Sequence, residues 1–555
     1  MNDMEYQSPA AKEGQGPELD AIIVGAGFSG LYMLHRLREL GFSARIYEAA
    51  DGVGGTWYWN RYPGARCDSE SYFYCYTFSK EILQEWEWTC RYPEQPEIMR
   101  YLNYVADKLD LRRDIRFKAR VTAAQYNEQA NRWDIETETG ERASARFLIT
   151  AVGCLSAAQK PNIKGLETFE GAWYHTGHWP HEGVDFTGKR VGLIGTGSSG
   201  IQAVPVIAAQ AAHLTVFQRT PNFTVPARNA PMTAEFRREV KANYDEIVRK
   251  TRESFAGMPY DFSDMSALSV TPEERRRTFD KFWEKGGFGL LYESYNDLLF
   301  SKEANDTAAE YVREKIREIV RDPVVAEKLS PRSYPIGTKR PPIDTDYYET
   351  FNRDNVTLVD LRESPIEEIT KKGIRTRDGE YPVDCIVFAT GFDAMTGSLF
   401  KLGIHGKDGV ALQERWADGP HTYLGVATPG FPNLFMITGP GSPSVLSNMP
   451  PSIEQHVEWI SDCVSYMRQH GLDTIEATKP AQEAWDAHVA ETANATLFPQ
   501  ADSWYMGANI PGKPRVFTPY IGGVGAYRKL CQEIADKGYE GFVLTHSRQA
   551  VAALA

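Results

Sequence analysis

The stretch Phe169–Gly200, FEGAWYHTGHWPHEGVDFTGKRVGLIGTGSSG, decides how this chain is organised. Its second half contains a short apolar strand, Arg190–Ile194, that runs into the glycine-rich loop Gly195–Gly200. Glycines at this spacing permit a tight turn and let the N-terminus of a helix face the phosphates of a dinucleotide. The first half, Phe169–Pro180, is rich in aromatic residues and histidines, which a nucleotide-binding domain does not require for folding.

The same arrangement occurs earlier in the chain, where the strand Ala21–Val24 leads into the loop Gly25–Gly30. A single glycine-rich loop is a weak signal, because any tight turn between a strand and a helix favours glycine. Two such loops, each between an apolar strand and a helical pattern, predict two dinucleotide sites. The predicted fold class is therefore α/β, with two Rossmann-like dinucleotide-binding domains and an inserted helical subdomain.

The residue that ends the second strand of each unit distinguishes the two sites. Glu48 lies 18 residues beyond Gly30, where a carboxylate accepts both ribose hydroxyls of an adenosine. Arg219 lies 19 residues beyond Gly200, where a guanidinium can hold the 2′-phosphate of NADP. The alternatives are a solvated glutamate and a surface arginine. The pattern predicts an unphosphorylated ribose in the first site and NADP in the second.

The region between the two parts of the second unit has helical spacing. Helices are predicted over Thr233–Ala256, Thr271–Leu299 and Asp306–Leu329, with a capping box at Thr271–Glu274. No third glycine loop follows residue 391. The predicted division is a first dinucleotide-binding domain in residues 20–153 and 392–545, a second in residues 154–222 and 331–391, and a helical insertion in residues 223–330.

Composition narrows the class of protein further. The net charge of −13 over 555 residues argues against a general nucleic-acid partner. No apolar run reaches the ~18 residues of a membrane helix, and the polar N-terminus lacks the apolar segment of a secretory signal. The seven cysteines include no C-x-x-C pair, which favours reduced thiols and a cytoplasmic location. No metal site is predicted.

Two dinucleotide sites in one chain imply hydride transfer from NADPH to a bound flavin. A disulfide reductase would need a close cysteine pair near the flavin, whereas Cys67 and Cys75 are eight residues apart. The remaining electron acceptor is dioxygen, which indicates a monooxygenase or an oxidase. A flavin-based sensor without turnover is the alternative from another class, but it would not need a phosphate-selective NADP site.

At this point the residues resemble a known family. The pattern Phe169-x-Gly171-x3-His175-x3-Trp179-Pro180 is similar to the fingerprint of the type I Baeyer–Villiger monooxygenases. The pattern Gly54-Gly55-x-Trp57-x4-Tyr62-Pro63-Gly64-x3-Asp68 is similar to their second fingerprint. The resemblance extends from Ala21 to about Leu544 and is closest to the phenylacetone and steroid monooxygenase branch. Flavin-containing N- and S-monooxygenases carry a similar linker, usually without tryptophan at its end, and are the alternative.

The resemblance implies FAD in the first site, NADPH in the second, and conversion of a ketone with O2 to an ester or lactone through a C4a-peroxyflavin. It implies that Arg340 is the catalytic cation, that Asp68 orients it, and that Lys339 joins Arg219 at the 2′-phosphate. His175 is implied to be a linker residue that couples the domains through hydrogen bonds, not an acid or base. The cofactor-binding residues expected are Gly25, Gly27, Gly30, Glu48, Thr56, Trp57, Asp68, Gly195, Thr196, Gly197, Ser198, Ser199, Gly200, Arg219, Lys339 and Trp504.

Two segments of the last part of the chain are expected to line the substrate pocket. They are residues 439–449, a rigid cluster of glycine, proline and serine, and residues 503–509. Within them, Ser444, Val445, Leu446 and Trp504 are the candidate substrate contacts.

Overall fold

The computed structural model describes residues 17–159 and 161–546. The rest of the polar N-terminal segment lies outside the described residues. The strands are β1 Glu18–Val24, β2 Ala44–Tyr47, β3 Ile115–Arg116, β4 Val121–Asn127, β5 Arg132–Thr137, β6 Arg142–Thr150, β7 Ala172–His175, β8 Arg190–Ile194, β9 His213–Gln218, β10 Val225–Pro226, β11 Ile343–Asp344, β12 Val356–Asp360, β13 Ile366–Thr370, β14 Gly373–Thr376, β15 Gly379–Pro382, β16 Cys385–Phe388, β17 Ile404–His405, β18 Leu434–Met436, β19 Leu472–Ala477 and β20 Phe542–His546.

Helices follow the glycine loops of both sheets. The helices are α1 Phe28–Glu39, α2 Thr56–Trp59, α3 Lys80–Glu85, α4 Gln95–Lys108, α5 Ser198–Gln210, α6 Ala234–Ala242, α7 Tyr244–Glu253, α8 Pro272–Lys285, α9 Gly289–Tyr292, α10 Lys302–Ile319, α11 Pro323–Leu329, α12 Tyr347–Thr350, α13 Gly397–Phe400, α14 Leu412–Arg415, α15 Met449–Gln469, α16 Lys479–Asn494 and α17 Val524–Asp536. Six consecutive helices, α6 to α11, lie between β10 and β11. Within the described ranges, no helix has the length and apolar character needed to cross a membrane.

The first large sheet holds the first glycine loop. Its order is β17-β4-β5-β6-β1-β2-β3, and β18 also pairs with β6. The strands β2, β1 and β6 are parallel and apolar, which is the pattern of a strand buried on both faces. Because β17 and β18 come from the last third of the chain, this sheet is assembled from two distant segments.

The second sheet holds the second glycine loop and has the order β12-β9-β8-β16-β7, with every pair parallel. Its edge strand β7 is part of the histidine-rich stretch Phe169–Pro180. This stretch is therefore integrated into the second sheet, although its sequence pattern gave no sign of a strand. The parallel strands that carry the glycine loops in both sheets confirm the predicted α/β class, although β4, β5 and β6 of the first sheet pair antiparallel. The residue boundaries of the domains stay a prediction.

The helical region is more divided than its apolar spacing predicts. The predicted helix Thr233–Ala256 is split at Asn243 into α6 and α7. The predicted helix Thr271–Leu299 begins with the expected capping box, but α8 ends at Gly286, whose φ of 72° no continuing helix can contain. The third predicted helix is interrupted before Pro323, which opens α11.

Candidate active site

The two glycine loops have the same geometry. A Cβ atom at Gly25 would lie 2.6 Å from the carbonyl oxygen of Ala151, and one at Gly30 would lie 1.9 Å from the carbonyl oxygen of Gly25. In the second loop, Cβ atoms at Gly195 and Gly200 would lie 2.4 and 2.1 Å from backbone oxygens. Gly25 and Gly195 also have φ of 106° and 110°, which side chains rarely tolerate. Both turns therefore exclude any larger residue.

Each loop ends at the N-terminus of a helix. Gly27 precedes α1 and Gly197 precedes α5, and neither helix receives a side-chain cap at this position. The first N–H groups of both helices are therefore available to anionic oxygens, as a pyrophosphate requires. Gly55 packs on the first loop so closely that its Cβ would lie 2.9 Å from the Cα atom of Gly27. Both loops fit a dinucleotide.

Glu48 lies directly behind the first loop. It is buried, and its two carboxylate oxygens accept the N–H groups of Ala26 at 2.6 Å and Ala50 at 2.7 Å. Burial raises the pKa of Glu48, and these two hydrogen bonds act in the opposite direction. The carboxylate thus helps to fix the loop itself. Its contact with a ribose stays a prediction.

A cleft of about 760 Å³ extends between the two loops. Residues from both large sheets line it, and the predicted site residues among them are Gly27, Thr56, Trp57, Asp68, Gly195, Thr196, Gly197, Ser198, Ser199, Arg219, Lys339, Arg340, Val445 and Trp504. Four of the other predicted residues belong to the loops or contact them without lining the cleft. They are Gly25, Gly30, Glu48 and Gly200. The fold therefore brings most of the predicted residues to one cavity.

The side chain of Arg340 is fixed by three hydrogen bonds. Its Nε and Nη2 atoms donate to the two carboxylate oxygens of Asp68 at 2.8 and 2.7 Å, and its Nη1 atom donates to the carbonyl oxygen of Val445 at 2.8 Å. The ring of Phe288 lies 5.7 Å from the guanidinium carbon. Burial alone would lower the pKa of Arg340, but the Asp68 carboxylate raises it above its ordinary value. The arginine is a permanent cation in the cleft.

Of the predicted substrate contacts in the turn Ser444–Leu446, Val445 lines the cleft, whereas Ser444 and Leu446 do not. Ser444 is fully buried, with a φ of 39°, and its hydroxyl donates to the carbonyl oxygen of Thr438 at 3.3 Å. Val445 supplies the carbonyl group that holds Arg340. Leu446 is half-buried and packs in one apolar cluster with Trp504. Sequence patterns could not identify the Val445 carbonyl, because every residue type has one.

Arg219 and Lys339 lie together beside the second loop. Arg219 is exposed, and the Nζ atom of Lys339 lies 4.6 Å above the centre of the Tyr334 ring. Burial lowers the pKa of Lys339, the charge of Arg219 lowers it further, and Asp502 opposes both effects. Two neighbouring cations stabilise a doubly charged anion better than either does alone.

His175 lies outside this cluster. Its Nδ1 atom accepts the Gly177 N–H at 3.0 Å, and its Nε2 atom lies 3.3 Å from the hydroxyl of Thr390, two residues after the end of β16. Burial and the nearby His178 lower the pKa of His175 to about 4, so the ring is neutral. Both hydrogen bonds stay within the second unit. The expectation that His175 couples the two domains through hydrogen bonds is therefore wrong.

The linker, residues 169–181, contacts the first unit through aromatic rings instead. The ring of His178 lies 5.7 Å from that of Trp59, and the ring of His181 lies 4.8 Å from that of Tyr58. Trp179 is buried at the end of the linker. These contacts are made by His178, at a variable position within the recognised pattern, and by His181, directly after it, rather than by His175.

Comparison with known proteins places this site among enzymes. A family model described as flavin-binding monooxygenase-like matches residues 20–229. A Baeyer–Villiger monooxygenase of Pseudooceanicola batsensis is 45% identical over 97% of this chain and 98% of the relative. A phenazine N-monooxygenase of Lysobacter antibioticus is 46% identical over 95% of this chain and 97% of the relative. A solved structure of oxidised steroid monooxygenase bound to NADP is 51% identical, with a TM-score of 0.92 over 96% of this chain and 100% of that one.

Proposed function

Because the chain belongs to the Baeyer–Villiger monooxygenases, we propose that Arg340 and Asp68 form the core of its oxygen-inserting site. The enzyme is an NADPH-dependent flavoprotein that uses FAD and converts ketones to esters or lactones. The observation that carries the proposal is a cation fixed by three hydrogen bonds in a cleft that both glycine loops border.

When bound, FAD reduced by NADPH supplies the electrons that activate O2 for insertion beside a carbonyl. The protein's own contribution begins with Arg340. A guanidinium has five N–H donors, of which Asp68 and Val445 use three, and the hydroxyl of Tyr505 lies within hydrogen-bonding reach of the same group. A cation that is already in place stabilises negative charge developing on an oxygen atom without reorganising during the reaction. Arg340 therefore acts on the anionic oxygens of the reaction.

We assign Asp68 the role of positioning residue. Its two oxygens are both occupied by Arg340, which fixes the plane of the guanidinium as well as its distance. The Val445 carbonyl restricts the same group from another direction. A lysine in place of Arg340 could not satisfy both partners, because its ammonium is a point charge.

We assign the NADP 2′-phosphate to Arg219 and Lys339. Both residues line the cleft next to the second glycine loop, and burial together with the nearby charge of Arg219 lowers the pKa of Lys339. An unphosphorylated NAD would leave these two charges without a partner. The arrangement therefore supports a preference for NADPH over NADH.

The substrate that we propose is an apolar ketone with a ring. Half-buried apolar side chains gather around the turn that holds Arg340, and they include Leu155, Phe255, Leu446, Met449 and Trp504. Such a wall removes apolar surface from water but offers few partners to a polar substrate. O2 is the proposed second substrate. The net charge of −13 supports the absence of a nucleic-acid partner, and seven unpaired cysteines support a cytoplasmic location.

A second activity is favoured by one finding. A relative that is 46% identical is named for oxygenation of a phenazine nitrogen, and it covers nearly the whole chain. An aromatic N-heterocycle would meet the same apolar wall and the same cation. N-oxide formation is therefore the alternative, and Trp179 in the linker does not exclude it.

The test is a panel of cyclic and aryl ketones and a matched panel of aromatic N-heterocycles. NADPH consumption is measured with each compound, and esters, lactones and N-oxides are quantified by chromatography. We expect lactones or esters from the ketones, with product formed for most of the NADPH consumed. If product forms only from the heterocycles, conversion of ketones is contradicted and N-oxygenation is the activity.

A further inference from the structure

The second turn of α5 contacts the chain segment that leads to Asp68. Gln202 lies three residues beyond Ser199, and its Oε1 atom accepts the hydroxyl of Tyr62 at 2.8 Å and the N–H of Arg66 at 3.4 Å. Its Nε2 atom donates to the carbonyl oxygen of Arg66 at 3.1 Å. One amide side chain on the second glycine-loop helix thus makes three hydrogen bonds to residues 62–66.

The backbones of the two segments also approach closely at this point. A Cβ atom at Gly64 would lie 2.3 Å from the carbonyl oxygen of Gln202, and Gly64 has a φ of 81°. No other residue fits there without displacing the helix. The contact is therefore built into the backbone of both units as well as into one side chain.

Only one residue separates Arg66 from Asp68. That residue, Cys67, is buried, and its N–H donates to the carbonyl oxygen of Pro93. A segment that is short and hydrogen-bonded on both sides transmits a displacement instead of absorbing it. A movement of Gln202 is consequently passed to the carboxylate that orients Arg340.

We infer that Gln202 is a positioning residue that couples occupancy of the second glycine loop to the placement of the Asp68–Arg340 pair. Phosphate groups at the N-terminus of α5 would contact Ser198 and Ser199, which lie one helical turn before Gln202 on the same helix. An anion that draws this turn toward itself also moves residues 62–66. The inference rests on the proposed NADP site.

The chemistry of the amide is specific for this position. Glutamine offers an acceptor to Tyr62 and Arg66 and a donor to the Arg66 carbonyl at once. Glutamate would keep the acceptor but place an anionic oxygen against that carbonyl group. Methionine has nearly the same shape and offers neither strong donor nor strong acceptor.

The experiment uses the full-length enzyme loaded with FAD, and it measures hydrogen–deuterium exchange with and without NADP⁺ in the absence of NADPH. The variants are Gln202→Met and, as a milder change that keeps the packing, Tyr62→Phe. The matched control is Gln210→Met, the same substitution at the exposed end of the same helix. The amides followed are those of residues 195–202 and 62–68.

In the unmodified enzyme and in the control, we expect NADP⁺ to slow exchange in both segments. In Gln202→Met we expect the slowing in residues 195–202 to remain and that in residues 62–68 to fall at least threefold, with Tyr62→Phe between the two. In turnover, the hydrogen peroxide released per NADPH should rise severalfold at an NADPH KM changed less than threefold.

The outcomes distinguish the proposed NADP site from the proposed coupling through Gln202. If NADP⁺ slows exchange in neither segment of the unmodified enzyme, the proposed NADP site is wrong. If it slows residues 195–202 alone, or if Gln202→Met retains full slowing in residues 62–68, the NADP site stands and the coupling through Gln202 is overturned. A uniform loss of protection throughout the Gln202→Met variant would also overturn it, because that pattern is one of general destabilisation.

Discussion

Arg340 and Asp68 are separated by 272 residues in the chain, yet they form a two-point ion pair with N–O distances of 2.8 and 2.7 Å. Asp68 follows the first glycine loop, whereas Arg340 follows the helical region that interrupts the second unit. The pair exists only when the two units are assembled against each other. The hydrogen bonds that fix the proposed catalytic cation therefore depend on correct packing of the two units.

Replacing Arg340 with alanine should separate the two halves of the reaction. Loss of one preorganised cation at a developing oxyanion costs about 3–4 kcal/mol. We expect the variant to bind FAD and to be reduced by NADPH under anaerobic conditions, but to form almost no ester and to release hydrogen peroxide. Stopped-flow absorbance followed by product analysis measures both halves. Arg332→Ala, at an exposed arginine eight residues earlier, is the control, and a near-normal ester yield from Arg340→Ala would remove that residue from the mechanism.

Asp68→Asn should give a milder form of the same defect. The amide keeps one acceptor for Arg340 but loses the second charge-assisted bond, so the guanidinium stays in the cleft with less constraint. We expect an ester yield between those of the unmodified enzyme and Arg340→Ala. A yield as low as that of Arg340→Ala would mean that Asp68 does more than orient the arginine.

Arg219→Ala should change the choice of cofactor. The loss of a charge-assisted contact to a phosphate weakens NADPH binding by roughly 1.5–3 kcal/mol, and NADH, which lacks the phosphate, should be affected little. Steady-state KM values for both cofactors test this, with the exposed Arg238→Ala as control. Lys339→Ala should act in the same direction. Equal weakening of NADPH and NADH would contradict the assignment.

His175→Ala should destabilise the second unit without altering the pH profile of turnover. The variant loses the hydrogen bond between the ring and Thr390, two residues after β16, and the acceptor of the Gly177 N–H, a cost of about 1–3 kcal/mol. Because the pKa of His175 is about 4, the ring carries no charge above pH 6 in either binding or catalysis. Thermal unfolding and the pH dependence of kcat check the two statements. A shifted pH profile would give His175 a role in proton transfer.

Asp344→Asn should remove one source of pH dependence in stability. Asp344 is buried on β11, where it accepts hydrogen bonds from Thr224 and Tyr347, and burial raises its pKa from 3.8 to about 7. Between pH 4 and pH 7 the folded state keeps a proton that the unfolded state loses, so this group lowers stability by up to ~1.4 kcal/mol per pH unit as pH rises. The difference in Tm between the variant and the unmodified enzyme should therefore grow in favour of the variant from pH 5 to pH 7. A difference independent of pH would show that Asp344 is ionised throughout.

The elements predicted well from the sequence are those with strong local requirements. The glycine loops are recognisable in the sequence because Gly25, Gly30, Gly195 and Gly200 have no room for a Cβ atom. This steric restriction requires glycine at fixed intervals, and that spacing is visible in the sequence. The capping box at Thr271 is likewise local. The ends of the long helices are not predictable from apolar spacing. This spacing continues past Asn243 and Gly286, whereas the helical conformation of the backbone is interrupted at these residues.

Contacts between distant parts of the chain had no comparable signal. The hydrogen bonds of Gln202 to residues 62–66 join two units, and glutamine at the start of a helix is unremarkable in sequence. The partner of Arg340 at Val445 is a backbone carbonyl, which no residue type reveals. The contacts of His175 within the second unit are not predictable, because β7 is a four-residue edge strand whose aromatic sequence does not indicate a strand.

The strand β18 has a consequence for how the enzyme is made. It lies against β6, and the hydroxyl of Thr150 donates to the carbonyl oxygen of Phe435, 285 positions later. On a ribosome, the first sheet stays incomplete until more than three quarters of the chain has emerged, whereas the second sheet can close earlier. We therefore expect completion of the first sheet to be a late event in synthesis, and a nascent chain halted before β18 to contain every strand of the second sheet but not of the first.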